Sequence, residues 1–102
     1  MNTELKPGMM AMVIGAYACT KNIGRLVTPE LFIKPNNSEF FVDGIFETEE
    51  EPMWVVSAED IQRNTAGGII ISNLGAHVEK HLIPIKPESD IIYGAESLGI
   101  YD

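Results

Sequence analysis

Few residues of this 102-residue chain could do chemistry, and His77, Glu79 and His81 form its one histidine-bearing cluster. On a strand these three share a face, and on a helix the two imidazoles are neighbours. Either geometry could bring two ring nitrogens and a carboxylate to a divalent metal. Solvated surface histidines are the plainer reading, because the spacing lacks the glutamate of the zinc-protease helix and Cys19 is a distant fourth ligand. As a nucleophile, Cys19 would need an activating base in an electropositive setting, and only Lys21 stands near it in sequence. Gly67-Gly68, beside Asn64 and Thr65, reads as a turn and not as a phosphate cradle, since no Lys-Ser or Lys-Thr follows it. Glu59 and Asp60 after Ser57 are explained by local capping more simply than by paired acid–base work.

Charge says more than any of these motifs. Fifteen acidic residues against seven basic ones give a formal net charge of −8. Glu39, Asp43, Glu47, Glu49, Glu50, Glu51, Glu59 and Asp60 fall between Pro35 and Gln62 with no Lys or Arg among them. Such a balance disfavours generic binding to a phosphate backbone, which depends on cationic side chains releasing counterions. The belt is either a solvated face or a surface that recognises a basic partner, with Phe41, Phe46 or Trp54 as an aromatic anchor. Lys21, Arg25 and Lys34 leave the first strands locally basic, which keeps a small nucleic-acid contact open.

These residues need a scaffold, and the length suits one domain. Its single cysteine excludes an internal disulfide and fits a reducing compartment. No apolar run approaches the roughly 18 residues of a membrane-spanning helix. The first residues carry no basic region followed by an apolar one, so the expected location is cytoplasmic. Pro7-Gly8 turns into an apolar strand at 9–14, whose two faces, Met9, Ala11, Val13 and Met10, Met12, Ile14, are equally apolar. A surface loop at 16–23 leads to Gly24, which suits a positive backbone angle, and to a second strand at 25–28 stopped by Pro29. A short extended piece at 31–33 precedes the turn signal Pro35-Asn36-Asn37-Ser38. Residues 39–46 form either a strand bulged at Gly44 or a hairpin turning at Asp43-Gly44.

Met53 to Val56 is a strong strand with Trp54 as a core or rim anchor, followed by one helical turn over 57–63. Ile69 to Ile71 reads as a short buried strand that turns at 72–75. The stretch at 78–85 is either a last strand limited to an edge by Pro84 and Pro87, or a helical turn at 76–81 with a closing strand at 82–85. Residues 1–5 form a frayed lead-in, 6–87 the domain and 88–102 an acidic yet apolar extension. Its Ile91, Ile92, Tyr93, Leu98, Ile100 and Tyr101 suit packing over an open end of the domain or on another chain.

The stretch from Lys6 to Val27, with Pro7-Gly8, Ala11, Val13, Gly15 and then Gly24-Arg25-Leu26-Val27 after a variable loop, resembles the KOW-like and SH3-like small barrels of ribosomal proteins and transcription elongation factors. A looser set, Lys6-Pro7-Gly8, Asn22-Ile23-Gly24-Arg25, Trp54 and Leu82-Ile83-Pro84-Ile85, resembles small uncharacterised proteins of phages and prophages. The barrel resemblance implies a mainly β fold, an SH3-like barrel of five to six short strands with one short helical turn and a C-terminal extension. It also implies contact with RNA, a polymerase or a ribosome through Tyr17, Lys21, Asn22 and Arg25, although barrels that hold ribosomal RNA are usually basic. The phage resemblance implies a phage-encoded protein acting on a host protein.

The expectation is therefore a noncatalytic protein-binding module with an acidic recognition face, using Tyr17, Lys21, Asn22, Arg25, Phe41, Glu49, Glu50, Trp54 and Asp60, with no cofactor or metal. Its partner would be a protein, with a basic or nucleic-acid-binding one fitting the acidic face, and the C-terminal extension would serve any homo-oligomer. A nucleic-acid-associated KOW-like barrel is one alternative. A small metal-binding protein or hydrolase using His77 and His81 is the other.

Overall fold

A computed structural model describes residues 4–85. The expected extension at 88–102 lies outside the described residues. Seven strands carry the fold: β1 (Met10–Val13), β2 (Leu26–Ile33), β3 (Ser38–Phe41), β4 (Gly44–Glu47), β5 (Met53–Thr65), β6 (Gly68–Val78) and β7 (Leu82–Ile85). Two single 3-10 turns, Thr20–Asn22 and Glu79–His81, complete it.

The mainly β content and the brevity of the helices agree with expectation; the closed barrel does not. Five strands form one open antiparallel sheet in the order β6-β5-β2-β1-β7, and β3-β4 is a separate hairpin. Among the described residues β6 and β7 are free edges that do not pair, so the sheet never closes on itself as a KOW-like or SH3-like barrel would. Part of the reason is chemical. Ile14 donates to the His81 carbonyl, and the ladder's alternation then turns the nitrogen of Pro84 outward. Proline has no N–H, so the outer edge of β7 cannot continue the ladder at that point.

Ala11 and Val13 take the inner face of β1, which sequence alternation left open; both are fully buried while Met10 and Ile14 on the other face are about half exposed. The buried pair packs with Val27, Trp54, Val56, Ile61 and Leu82, and Leu5 of the expected frayed lead-in packs on this cluster. Val55 points to the opposite side, where Ile33 and Phe46 form a second cluster beneath the β3–β4 hairpin. The sheet is thus covered on both faces along β5.

Three further expectations are corrected. β2 runs through Pro29, where a register shift before Leu31 absorbs the irregularity. β5 does not become a helical turn after Ser57; it stays extended to Thr65 across a bulge in which Ala58, Glu59 and Asp60 face the single Asn73. β6 does not turn at 72–75, and its Ile69, Ile70 and Ile71 are exposed, not buried. The bulge bends the β5–β6 ribbon so sharply that a Cβ on Gly75 would lie 2.8 Å from the Gln62 carbonyl oxygen. Of the two readings for residues 39–46, the hairpin forms, turning at Val42-Asp43. Of the two for 78–85, the helical turn with a closing strand forms, the turn spanning Glu79–His81.

Candidate functional site

The loop between β1 and β2 supplies the first side of the site, and Asn22 holds it in place. This side chain is 1% exposed. Gln62 donates its N–H to Asn22 Oδ1 at 2.8 Å, while Asn22 Nδ2 donates to the Gln62 carbonyl at 2.9 Å. Asn22 thereby pairs with β5 beyond the bulge, where β2 no longer does. Nδ2 also lies 3.1 Å from His77 Nε2. A backbone N–H can only donate, which fixes the amide orientation; His77 Nε2 must then accept, leaving the ring proton on Nδ1. Burial, with a smaller contribution from His81, pushes the His77 pKa down to about 4, so the ring is neutral at pH 7.

Arg25 has an equally internal role. Its guanidinium donates to the carbonyls of Glu59 at 2.6 Å and Asp60 at 3.2 Å, while the Asp60 N–H donates to Asn73 Oδ1. These bonds close the bulge and hold Asp60 at φ +53, a left-handed conformation that costs free energy outside glycine.

A cleft of about 440 Å³ opens beside this anchored loop. Tyr17, Ala18 and Cys19 line one side; Glu47, Glu49, Glu50 and Glu51 line another; Met53, Ala76, Val78 and both histidines complete it. Tyr17 is 67% exposed and donates its hydroxyl to Glu51 Oε2 at 2.8 Å. Its ring meets the edge of the His81 ring at 4.9 Å between centroids. Lys80 reaches Glu51 Oε1 at 3.3 Å. The Tyr17 hydrogen bond, aided by Lys80, holds the Glu51 carboxyl below its ordinary range. Among the described residues the ion pairs are Lys80 with Glu51 and Arg63 with Asp43, so Glu47, Glu49 and Glu50 are not engaged in any.

Of the expected contact residues, the structure brings Tyr17, Glu49 and Glu50 to one cleft. The others are placed elsewhere. Asn22 is buried and Arg25 and Asp60 are bound up in the bulge. Trp54 is buried against Phe32 and donates its indole N–H to Glu79. Phe41 is half-buried against the second core cluster. The Lys21 backbone donates to the Gln62 side chain. Sequence reading missed that Glu47, Glu51, His77 and His81 share the cleft with Tyr17; no local signal reveals this, because the contacts join β1's loop to segments more than thirty positions away.

Chemically, the cleft does not favour a thiolate, since burial pushes the Cys19 thiol up. Among the described residues no three His, Cys, Asp or Glu side chains are grouped to hold a metal ion. No helix of the described residues is long and apolar enough to cross a membrane. What the arrangement offers is a half-apolar hollow with a carboxylate rim and an exposed phenol.

No protein-family model matches the chain, and neither a curated protein nor a solved structure matches it. The expected kinship with phage and prophage proteins and with KOW-like barrels is corrected accordingly: no relative carries it and the sheet is open.

Proposed function

We propose that this chain is a noncatalytic protein-binding module whose cleft receives a basic, extended segment of a partner protein. One observation carries the reading: Glu47, Glu49 and Glu50 line the same hollow as Tyr17 and the apolar Met53, Ala76 and Val78. A lysine or arginine side chain has matching halves, an aliphatic stem for the apolar floor and a cation for the carboxylates or the exposed Tyr17 ring. The surrounding acidic surface would speed encounter with such a partner and repel acidic ones.

Fluorescence anisotropy with labelled Lys/Arg-rich peptides of about ten residues tests this. Saturable binding that weakens with salt is expected, at least tenfold weaker in a Glu49→Gln, Glu50→Gln double variant and unchanged in Glu39→Gln, which lies in the acidic belt but outside the cleft. Equal loss in both variants would reduce the effect to bulk charge. Absence of binding at millimolar peptide would overturn the proposal.

A further inference from the structure

The two edges of the main sheet are built in opposite ways. β7 is four residues long and is blunted by Pro84, a common protection against unwanted strand pairing. β6 has none of the usual protections. Its eleven residues, Gly-Ile-Ile-Ile-Ser-Asn-Leu-Gly-Ala-His-Val, contain no proline and no Asp, Glu, Lys or Arg. Among the described residues no strand lies on its outer side. There the consecutive Ile69, Ile70 and Ile71 are 45%, 46% and 62% exposed.

The hydrogen-bond pattern shows which backbone groups face outward. Gln62, paired opposite Ile71, gives its N–H and C=O to Asn22 on the side away from β6. In an antiparallel ladder the directly opposite residue must then also turn its N–H and C=O away from the pair. Ile71, and by alternation Ile69, therefore present four unpaired backbone groups along the outer edge. Ile70 between them turns its own groups inward to β5.

We infer that the β6 edge is a homodimer interface, in which two copies pair antiparallel about a two-fold axis at Ile70 and join their sheets. This register sets Ile69 opposite the partner's Ile71 and Ile71 opposite the partner's Ile69. All four outward groups of each copy then find complementary partners, in four hydrogen bonds. Ile70 meets the partner's Ile70 as a non-hydrogen-bonded pair, the arrangement that brings side chains closest. Charge does not block self-pairing at this edge: two chains of net charge −8 repel over most of their surface, but β6 carries no charged side chain, so the repulsion is least where the copies would meet. The apolar triplet is also its own complement under the two-fold.

Sedimentation velocity of the full chain, from micromolar to millimolar concentration, is combined with cysteine cross-linking. A reversible monomer–dimer equilibrium is expected, weakened at least tenfold by Ile71→Pro, which removes an outward N–H. Ile70→Cys should form a disulfide-linked dimer on mild oxidation, whereas Asn73→Cys, off the axis, should not; native Cys19 is buried. The cross-link keeps the test valid even where Ile71→Pro lowers stability. A monomer at every concentration with no Ile70→Cys cross-link would overturn the inference, as would a dimer indifferent to Ile71→Pro or cross-linked equally at both positions.

Discussion

Replacing Asn22 by alanine should cost far more than a surface-loop position ordinarily does. The asparagine carboxamide makes three contacts: it accepts from the Gln62 N–H and donates to the Gln62 carbonyl and to His77 Nε2. Each such bond contributes about 0.5–1.5 kcal/mol net, and a buried polar group left without a partner costs about 1–3 kcal/mol. Gln62 is half-buried, so water recovers part of the loss there, while His77 is 4% exposed and recovers little. The sum is about 3 kcal/mol, at the severe end for a single substitution. In urea, with a slope of about 1–1.5 kcal/mol per molar for a domain this small, the midpoint should fall by roughly 2–3 M. Amide exchange supplies a local readout, since the Gln62 N–H loses its acceptor and should lose protection first. A loss below about 1 kcal/mol with Gln62 protection unchanged would refute the claim that this side chain anchors the loop. Asn22→Asp sharpens the test: a carboxylate can still accept from Gln62 but cannot donate to a neutral Nε2, so His77 should bind a proton more readily than in the parent protein.

Further outcomes follow from the same geometry. Because the His77 pKa falls from 6.5 to about 4 on folding, the unfolded chain binds this proton first as pH drops. Stability from this group is complete above about pH 6.5 and declines towards pH 4, by about 3 kcal/mol in all; urea unfolding at pH 7.5 and 4.5 should show a smaller decline in His77→Gln, and an identical decline would count against burial as the cause. Val42 occupies φ +58 at the tip of the β3–β4 hairpin while 68% exposed, so Val42→Gly should raise stability by about 1 kcal/mol in thermal unfolding; a lower Tm would show that the turn is not strained. Gly75→Ala should destabilise by about 1–3 kcal/mol, because its Cβ would press on the rigid Gln62 carbonyl, and an unchanged urea midpoint would mean that the ribbon relaxes freely.

Much of the strand content was legible because apolar runs bounded by Pro and Gly mark strands whatever they later pair with. Met53 to Val56 and the closing strand at Leu82 to Ile85 are such cases. Gly24, expected to take a positive backbone angle, has φ +91. The errors share a cause. Ser57, Glu59 and Asp60 look like a helix cap, but Arg25 and Asn73, remote in sequence, satisfy that backbone as a bulge instead. Ile69 to Ile71 look like a buried strand because three isoleucines usually are, yet the ribbon carries them to an edge. Pro29 looks like a strand terminator, but the register shift beside it lets β2 continue.

The candidate site divides in the same way. Residue type alone marked the acidic run, since carboxylates keep their charge wherever they stand, whereas Tyr17 entered only through the resemblance to a barrel that the open sheet overturns. Composition likewise settled the charge, the single thiol and a strand-rich fold, all of which follow from local preference and counting. Tertiary structure alone decided that Asn22 and Arg25 are internal fasteners, that Trp54 is core, and that the acidic run, Tyr17 and both histidines meet in one cleft. Those outcomes depend on pairings between residues remote in sequence, such as Tyr17 with Glu51 and Asn22 with His77. Such pairings are chosen by sheet order and by the β5 bulge, and no local stretch of the chain encodes either one.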